Sequence, residues 1–299
     1  MKVHSVILAS LVVLFQACQP HTTPLQKLEQ KLVETMEGCS GEYAVAYYDL
    51  TSGESMQLNA DKKYHAASTM KVPVMIELYR QASLGNLSMS DSILVRNEFI
   101  SIVDSSLYTL SIEDDSDSIV YQNIGKKMSL ADLTYQMITV SSNFATNILI
   151  QLVGGAQTTA TMRTLGARDI EVLRGVEDIK AYEQGLSNST TANDLLSIFT
   201  ALAKGEAGTA EHTEEMIGIL KDQAFNEIIP AKLPTNVQVA HKTGVITGVH
   251  HDAGIVYLPD GRSYVLILLS EKLEDFDRCT EMMASLSRVV YDHMISKAN

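Results

Sequence analysis

Strand-type sequence lies at the two ends of this chain, and the long stretch between them is patterned for helices. Tyr43–Leu50 is a β-branched and aromatic run closed by Thr51-Ser52-Gly53-Glu54, and Ser55–Leu58 alternates behind it as the second arm of a hairpin. Strand patterns return at Val237–His241, Ala253–Leu258 and Tyr264–Ser270, with Leu258-Pro259-Asp260-Gly261 as the turn between the last two. From Ser68 to about Phe225 the apolar spacing is helical, with Ser129/Asp132 and Thr191/Asp194 as capping pairs. Helical patterns also flank the strands, at Pro24–Glu37, stopped by Gly38, and at roughly Asp275–Ile295. Strands from both ends can share a sheet if the middle folds as a lobe of its own. The expectation is an α+β fold, an antiparallel sheet of N- and C-terminal segments with flanking helices and an inserted all-helical lobe. Catalytic sites favour the cleft between such lobes.

At 299 residues and 45% apolar content, the chain has material for one large core or two interleaved ones. Lys and Arg number 23 against 36 Asp and Glu, a net charge of −13, which argues against a nucleic-acid partner. An anionic substrate would have to be captured by local cations. No dinucleotide fingerprint, phosphate loop or internal repeat occurs, and no cofactor is expected. Glu113-Asp114-Asp115-Ser116-Asp117 lacks the spacing of an EF-hand and reads as a solvated loop. Neighbours in a strand point to opposite faces, so His250-His251-Asp252 is not expected to hold a metal.

Residues 1–17 read as a secretory signal: Lys2 and His4 precede the apolar run Val6–Phe15 and the small residue Ala17. That run is too short to span a bilayer. Cys18, directly after Ala17, resembles a bacterial lipoprotein cleavage site, at which the cysteine becomes a lipidated membrane anchor; the alternative is ordinary secretion with an incidental thiol. Either way the mature protein is expected outside the cytoplasm, periplasmic or lipid-anchored to the envelope, with residues 18–23 as a tether and a monomer as the default state.

Ser68-Thr69-Met70-Lys71 carries the chemistry. A serine and a lysine three apart share a helix face, so the amine can reach the hydroxyl. The pair works as nucleophile and base if Lys71 is desolvated and its pKa lowered. The apolar run Val72, Val74, Met75, Ile76 offers that setting, and Pro73 looks like a local rule broken at a functional site. Ser141-Ser142-Asn143 and Lys242-Thr243-Gly244 follow in the order and rough placement of the motifs of penicillin-recognising serine enzymes. From about Leu25 to the C-terminus the chain resembles the class A serine β-lactamase family, with residues 24–299 as the catalytic domain.

The resemblance implies that Ser68 attacks the β-lactam carbonyl and Lys71 takes its proton. Ser141 would relay a proton to the leaving nitrogen, and Asn143 would hold the acylamide side chain. Lys242 and Thr243 would meet the substrate carboxylate, Gly244 would let substrate approach the strand, and the N–H groups of Ser68 and Val245 would form the oxyanion hole. Ser142 stands where the family usually has aspartate, a residue that mostly supports its loop. The family's Ω-loop glutamate signature is absent; Glu177, one position late after Arg174, is the first candidate for the hydrolytic base and Glu183 the second, the alternative being a loop acid paired with Arg174. If neither reaches the cleft, the protein is a D-alanyl peptidase or transpeptidase relative, or a slowly released, acylated sensor. In the family fold the first and last helices pack side by side, which implies a Cys39–Cys279 bond.

Overall fold

Five strands pair into one antiparallel sheet: β1 (Glu42–Asp49), β2 (Ser55–Leu58), β3 (Gln238–Ile246), β4 (Val249–Tyr257) and β5 (Ser263–Glu271), in the spatial order β2-β1-β5-β4-β3. The structure is a computed structural model in which residues 22–297 are described; the expected leader and Cys18 lie outside them. β1 joins the C-terminal strands through β5, with Val45 opposite Leu268, so the two ends of the chain build one sheet as expected.

The C-terminal strands run past their apolar patterns. β3 continues through Lys242-Thr243-Gly244-Val245, which pair in turn with Ala253, Asp252, His251 and His250 of β4. Main-chain pairing carries these polar residues into the sheet, and hydrophobic alternation cannot register them. β3 is also an edge strand, so one of its sides faces the cleft.

Both faces of the sheet are buried. In β1, Ala44 and Ala46 point into the core shared with the helical lobe, while Tyr43, Val45 and Tyr47 point into a second core beneath α1 (Pro24–Met36) and the C-terminal helix Phe276–Ser296. β5 repeats this with Val265, Ile267 and Leu269 on one side and Tyr264, Leu266 and Leu268 on the other. Each fully buried aliphatic side chain contributes about 1.5–3 kcal/mol. Cys39, just past α1, and Cys279, in the first turn of the C-terminal helix, form a disulfide with Cα atoms 5.3 Å apart, as the resemblance implied.

Between β2 and β3 lie α2 (Lys71–Ser83), α3 (Leu130–Thr139), α4 (Asn143–Val153), α5 (Gly155–Thr164), α6 (Ile179–Glu183), α7 (Ala192–Ala203) and α8 (Ala210–Lys221). The expected caps are in place: Ser129 Oγ accepts from Asp132 N and Thr191 Oγ1 from Asp194 N, both at 3.0 Å. Pro73 breaks no rule. It is the third residue of α2, in the first turn, where a backbone N–H has no helical partner to lose.

Candidate active site

The cleft between sheet and helical lobe measures about 920 Å³ and is lined by Ser68, Ser141, Asn143, Glu177, Thr243 and Val245 among others. Ser68 sits in a 3₁₀ turn, Ala67–Met70, that feeds α2, so its backbone N–H lies at a helix start. Ala67, just before it, has φ 44°, a left-handed conformation costing a non-glycine residue about 1–3 kcal/mol. Ser141 and Glu177, both at φ 59°, carry the same strain, so three of the cleft's residues are held in unfavourable backbone states.

Lys71 is completely buried behind Ser68. Its Nζ donates to Ser141 O at 2.7 Å, Asn143 Oδ1 at 2.9 Å and Ser141 Oγ at 3.1 Å; none of its hydrogen bonds goes to Ser68 Oγ. Burial drives its pKa from 10.5 down to about 7, against the opposing pull of Asp115 and Glu177. The desolvated amine expected from the sequence is therefore present, but directed at the second motif.

That motif opens α4. Ser142, buried at the N-cap, accepts from Ala145 N at 3.1 Å through its hydroxyl, a task serine performs as well as the family's aspartate. A carboxylate reaches the same helix start from elsewhere. Asp115 accepts from Asn143 N at 3.0 Å and Phe144 N at 2.8 Å, which corrects the reading of residues 113–117 as a merely solvated loop. Asp117 likewise caps the short helix Ile119–Gln122 through Ile119 N at 2.7 Å. These acids are spent on orphan helix N–H groups, which a count of charges cannot reveal.

Lys242 is also completely buried, and its Nζ donates to Ser141 Oγ at 3.1 Å and to Thr243 O at 3.0 Å. Burial holds its pKa well below the ordinary lysine value; nearby Lys71 lowers it further, and Asp252 opposes both. Asp252 is bound by His241 Nδ1 at 2.8 Å and Ile229 N at 2.9 Å, while His251 Nε2 lies 2.8 Å from His65 O and His250 turns toward the C-terminal helix. The three side chains thus diverge.

Gly244 is not part of the cleft lining. A Cβ there would lie 3.0 Å from Ser68 N and 3.2 Å from Thr69 N, so its lack of a side chain lets β3 close on the helix start. Val245, next along the edge, is 49% exposed to the cleft.

The loop between α5 and α7 closes the remaining side. Its neck is tied by Asn188, which accepts from Leu173 N at 2.8 Å and Arg174 N at 3.1 Å and donates to Arg174 O at 2.9 Å. Asn147 of α4 clamps its tip, accepting from Val176 N at 2.7 Å and donating to Val176 O at 2.9 Å. A Cβ on Gly175 would fall 2.3 Å from Asn147 Oδ1, so this contact requires glycine. The clamp presents Glu177, exposed and lining the cleft, with no hydrogen bond to its carboxylate among the described residues. Arg174 does not pair with it: Nε donates to Leu186 O at 2.8 Å and Nη1 to Gly175 O at 2.9 Å. Glu183, the second candidate, ends α6, exposed and outside the cleft lining. Asn147 was legible in one respect: it follows Asn143 by four residues and shares its helix face. Asn188 carries no local signal.

Residues 27–294 match a model of the β-lactamase enzyme family. The β-lactamase ROB-1 of Haemophilus influenzae is 26% identical over 267 residues, covering 86% of this chain and 83% of the relative. Among solved structures, a β-lactamase from Sphaerobacter thermophilus DSM 20745 superposes with a TM-score of 0.76 at 25% identity, over 88% of this chain and 96% of its own. PBP-A superposes with a TM-score of 0.79 at 24% identity, over 93% and 99%.

Proposed function

Because the chain belongs to the β-lactamase enzyme family, we propose that it is a class A serine hydrolase opening the ring of penicillin- and cephalosporin-type antibiotics through an acyl-enzyme on Ser68. The observation that carries this reading is the meeting of three motifs on one atom: Ser141 Oγ lies 3.1 Å from Lys71 Nζ and 3.1 Å from Lys242 Nζ.

With a pKa near 7, Lys71 is substantially neutral at neutral pH; that form keeps two of its three donations, and the lone pair so freed takes the Ser68 proton, directly or through water. Ser68 Oγ bonds to the ring carbonyl carbon, and the oxyanion is held by the N–H groups of Ser68 and Val245. The ring C–N bond then breaks. Both lone pairs of Ser141 Oγ face lysines, which leaves its O–H for the departing nitrogen, and Lys71 at 3.1 Å resupplies that proton. Lys242 and Thr243 receive the substrate carboxylate, and Asn143 Nδ2, 3.4 Å from Asp114 O, receives the acylamide carbonyl. Glu177 activates the water that cleaves the ester and frees Ser68.

Intact-mass spectrometry during turnover of a chromogenic cephalosporin tests this. A transient adduct on Ser68 and many turnovers per enzyme are expected, and both vanish in Ser68→Ala; turnover that survives Ser68→Ala would sink the proposal. A second reading rests on the exposed, unpartnered Glu177: if it does not activate water, the adduct persists and the protein is a D-alanyl peptidase, transpeptidase or sensor. We place the enzyme outside the cytoplasm, periplasmic or held to the envelope by a lipidated Cys18, and acting as a monomer; its disulfide suits an oxidising compartment. Among the described residues no helix is long and apolar enough to cross a membrane.

A further inference from the structure

Beyond Val245 the cleft continues past the edge of β3 into a compartment lined by Phe225, Glu227, His250, Phe276, Asp277 and Thr280. None of the three motifs accounts for it.

His250 is 4% exposed, yet it lines the cleft. Its tautomer is assigned from the hydrogen bonds around it. Thr280 Oγ1 donates its only hydrogen to Phe276 O at 2.9 Å, a carbonyl that can only accept. The same oxygen lies 2.8 Å from His250 Nδ1, and with the hydroxyl directed at Phe276 O the ring is assigned the tautomer in which Nδ1 carries the hydrogen. In the neutral ring Nε2 then presents a lone pair, and it has no hydrogen-bond partner among the described residues. Burial lowers the His250 pKa, against the fields of Asp252 and Glu227, which favours the neutral ring. Phe276 stacks on the imidazole, centroids 4.9 Å apart and planes 6° from parallel.

The surrounding charges have one sign. Glu227 and Asp277 are exposed carboxylates with no ion pair among the described residues. Glu281, also in the lining, is held by Lys232 at 2.5 Å, so that cation is committed. The compartment therefore offers an unpartnered acceptor, two free carboxylates and an aromatic plate. An anionic or acceptor-only group is repelled there, whereas a flat cation is matched on each count.

We propose that this compartment selects β-lactams carrying a cationic group, such as pyridinium, on the ring carbon next to the one that bears the carboxylate. The inference rests on the hydrolase reading. With the carboxylate at Lys242 and Thr243 and the acylamide at Asn143, a ring substituent beside the carboxylate is the part of the substrate that extends past Val245.

The test uses three cephalosporins and the rate constant for acylation, followed by intact mass, so that it does not depend on release. Two share an acylamide side chain and differ in an acetoxymethyl or a pyridiniummethyl ring substituent; the third carries its cation on the acylamide side chain and keeps the acetoxymethyl group. In Glu227→Gln/Asp277→Asn the pyridinium-to-acetoxy ratio is expected to fall about fivefold. In the wild type the ratio should shrink as salt rises from about 0.02 M to about 0.5 M, a measurement that needs no variant. A ratio indifferent to both overturns the inference. So does an equal loss for the acylamide-borne cation, which would mark a field of the whole protein. Acylation without such preference sinks this inference alone; no acylation by any of the three sinks the hydrolase reading with it.

Discussion

Lys71 and Lys242 reach Ser141 from a helix and an edge strand, both completely buried and hydrogen-bonded to it, whereas Glu177 stands exposed on a loop tip with no partner for its carboxylate among the described residues. The first arrangement would form the acyl-enzyme and the second would break it. In the first, Ser141 Oγ is met by lysines from two different elements, so the reacting groups are tied directly to one another. In the second, geometry is inherited through Asn147 and Asn188, which hold backbone rather than the reacting side chain. Changes to the wall should therefore remove chemistry outright, and changes to the loop should divide it into a fast and a slow half.

The largest effect is expected at Lys71. Acylation needs its neutral form, so kcat/KM should rise with pH through about 7 and level off above it. Lys71→Ala should lower kcat/KM by about 10³-fold and abolish that acid limb; a limb that survives the substitution would assign the base elsewhere. Glu177→Gln should slow release of the acyl group about 100-fold while acylation stays within about threefold, read as a persistent mass adduct. Equal loss of both steps would break the division between wall and loop.

Asn147→Ala sharpens the contrast at a residue that touches only backbone of the loop. Release is expected to fall about tenfold, with about 1–3 kcal/mol lost from stability because Val176 N loses its partner, while Val176 O keeps the Tyr108 hydroxyl. The smallest effect is at Ser142→Ala, which removes a helix cap and no reacting group: about 1 kcal/mol, or a Tm lower by about 2–4 °C by calorimetry.

The short words of the three motifs were legible because their chemistry demands particular residue types at fixed spacing, and the capping pairs at Ser129 and Thr191 because capping is local. The sheet's composition from both ends followed from the order of the patterns. What the sequence hid was set by tertiary placement. Asp115 looks like any member of an acidic run until α4 is placed above it, and Asn188 binds Leu173 and Arg174 across a loop. The far ends of β3 and β4 carry lysine, threonine and histidine into a buried sheet, which apolar alternation cannot anticipate. His250 meets Thr280, 30 positions away on the C-terminal helix, only in the folded chain.

The bond between Cys39 and Cys279 spans 240 residues, nearly the whole folded chain. Closing so long a ring removes freedom from the unfolded polymer equivalent to about 5 kcal/mol in the chain-entropy account, comparable to the entire margin by which many domains stay folded. A newly made polypeptide in a reducing environment lacks that margin, so full robustness arrives only with oxidation of the two thiols.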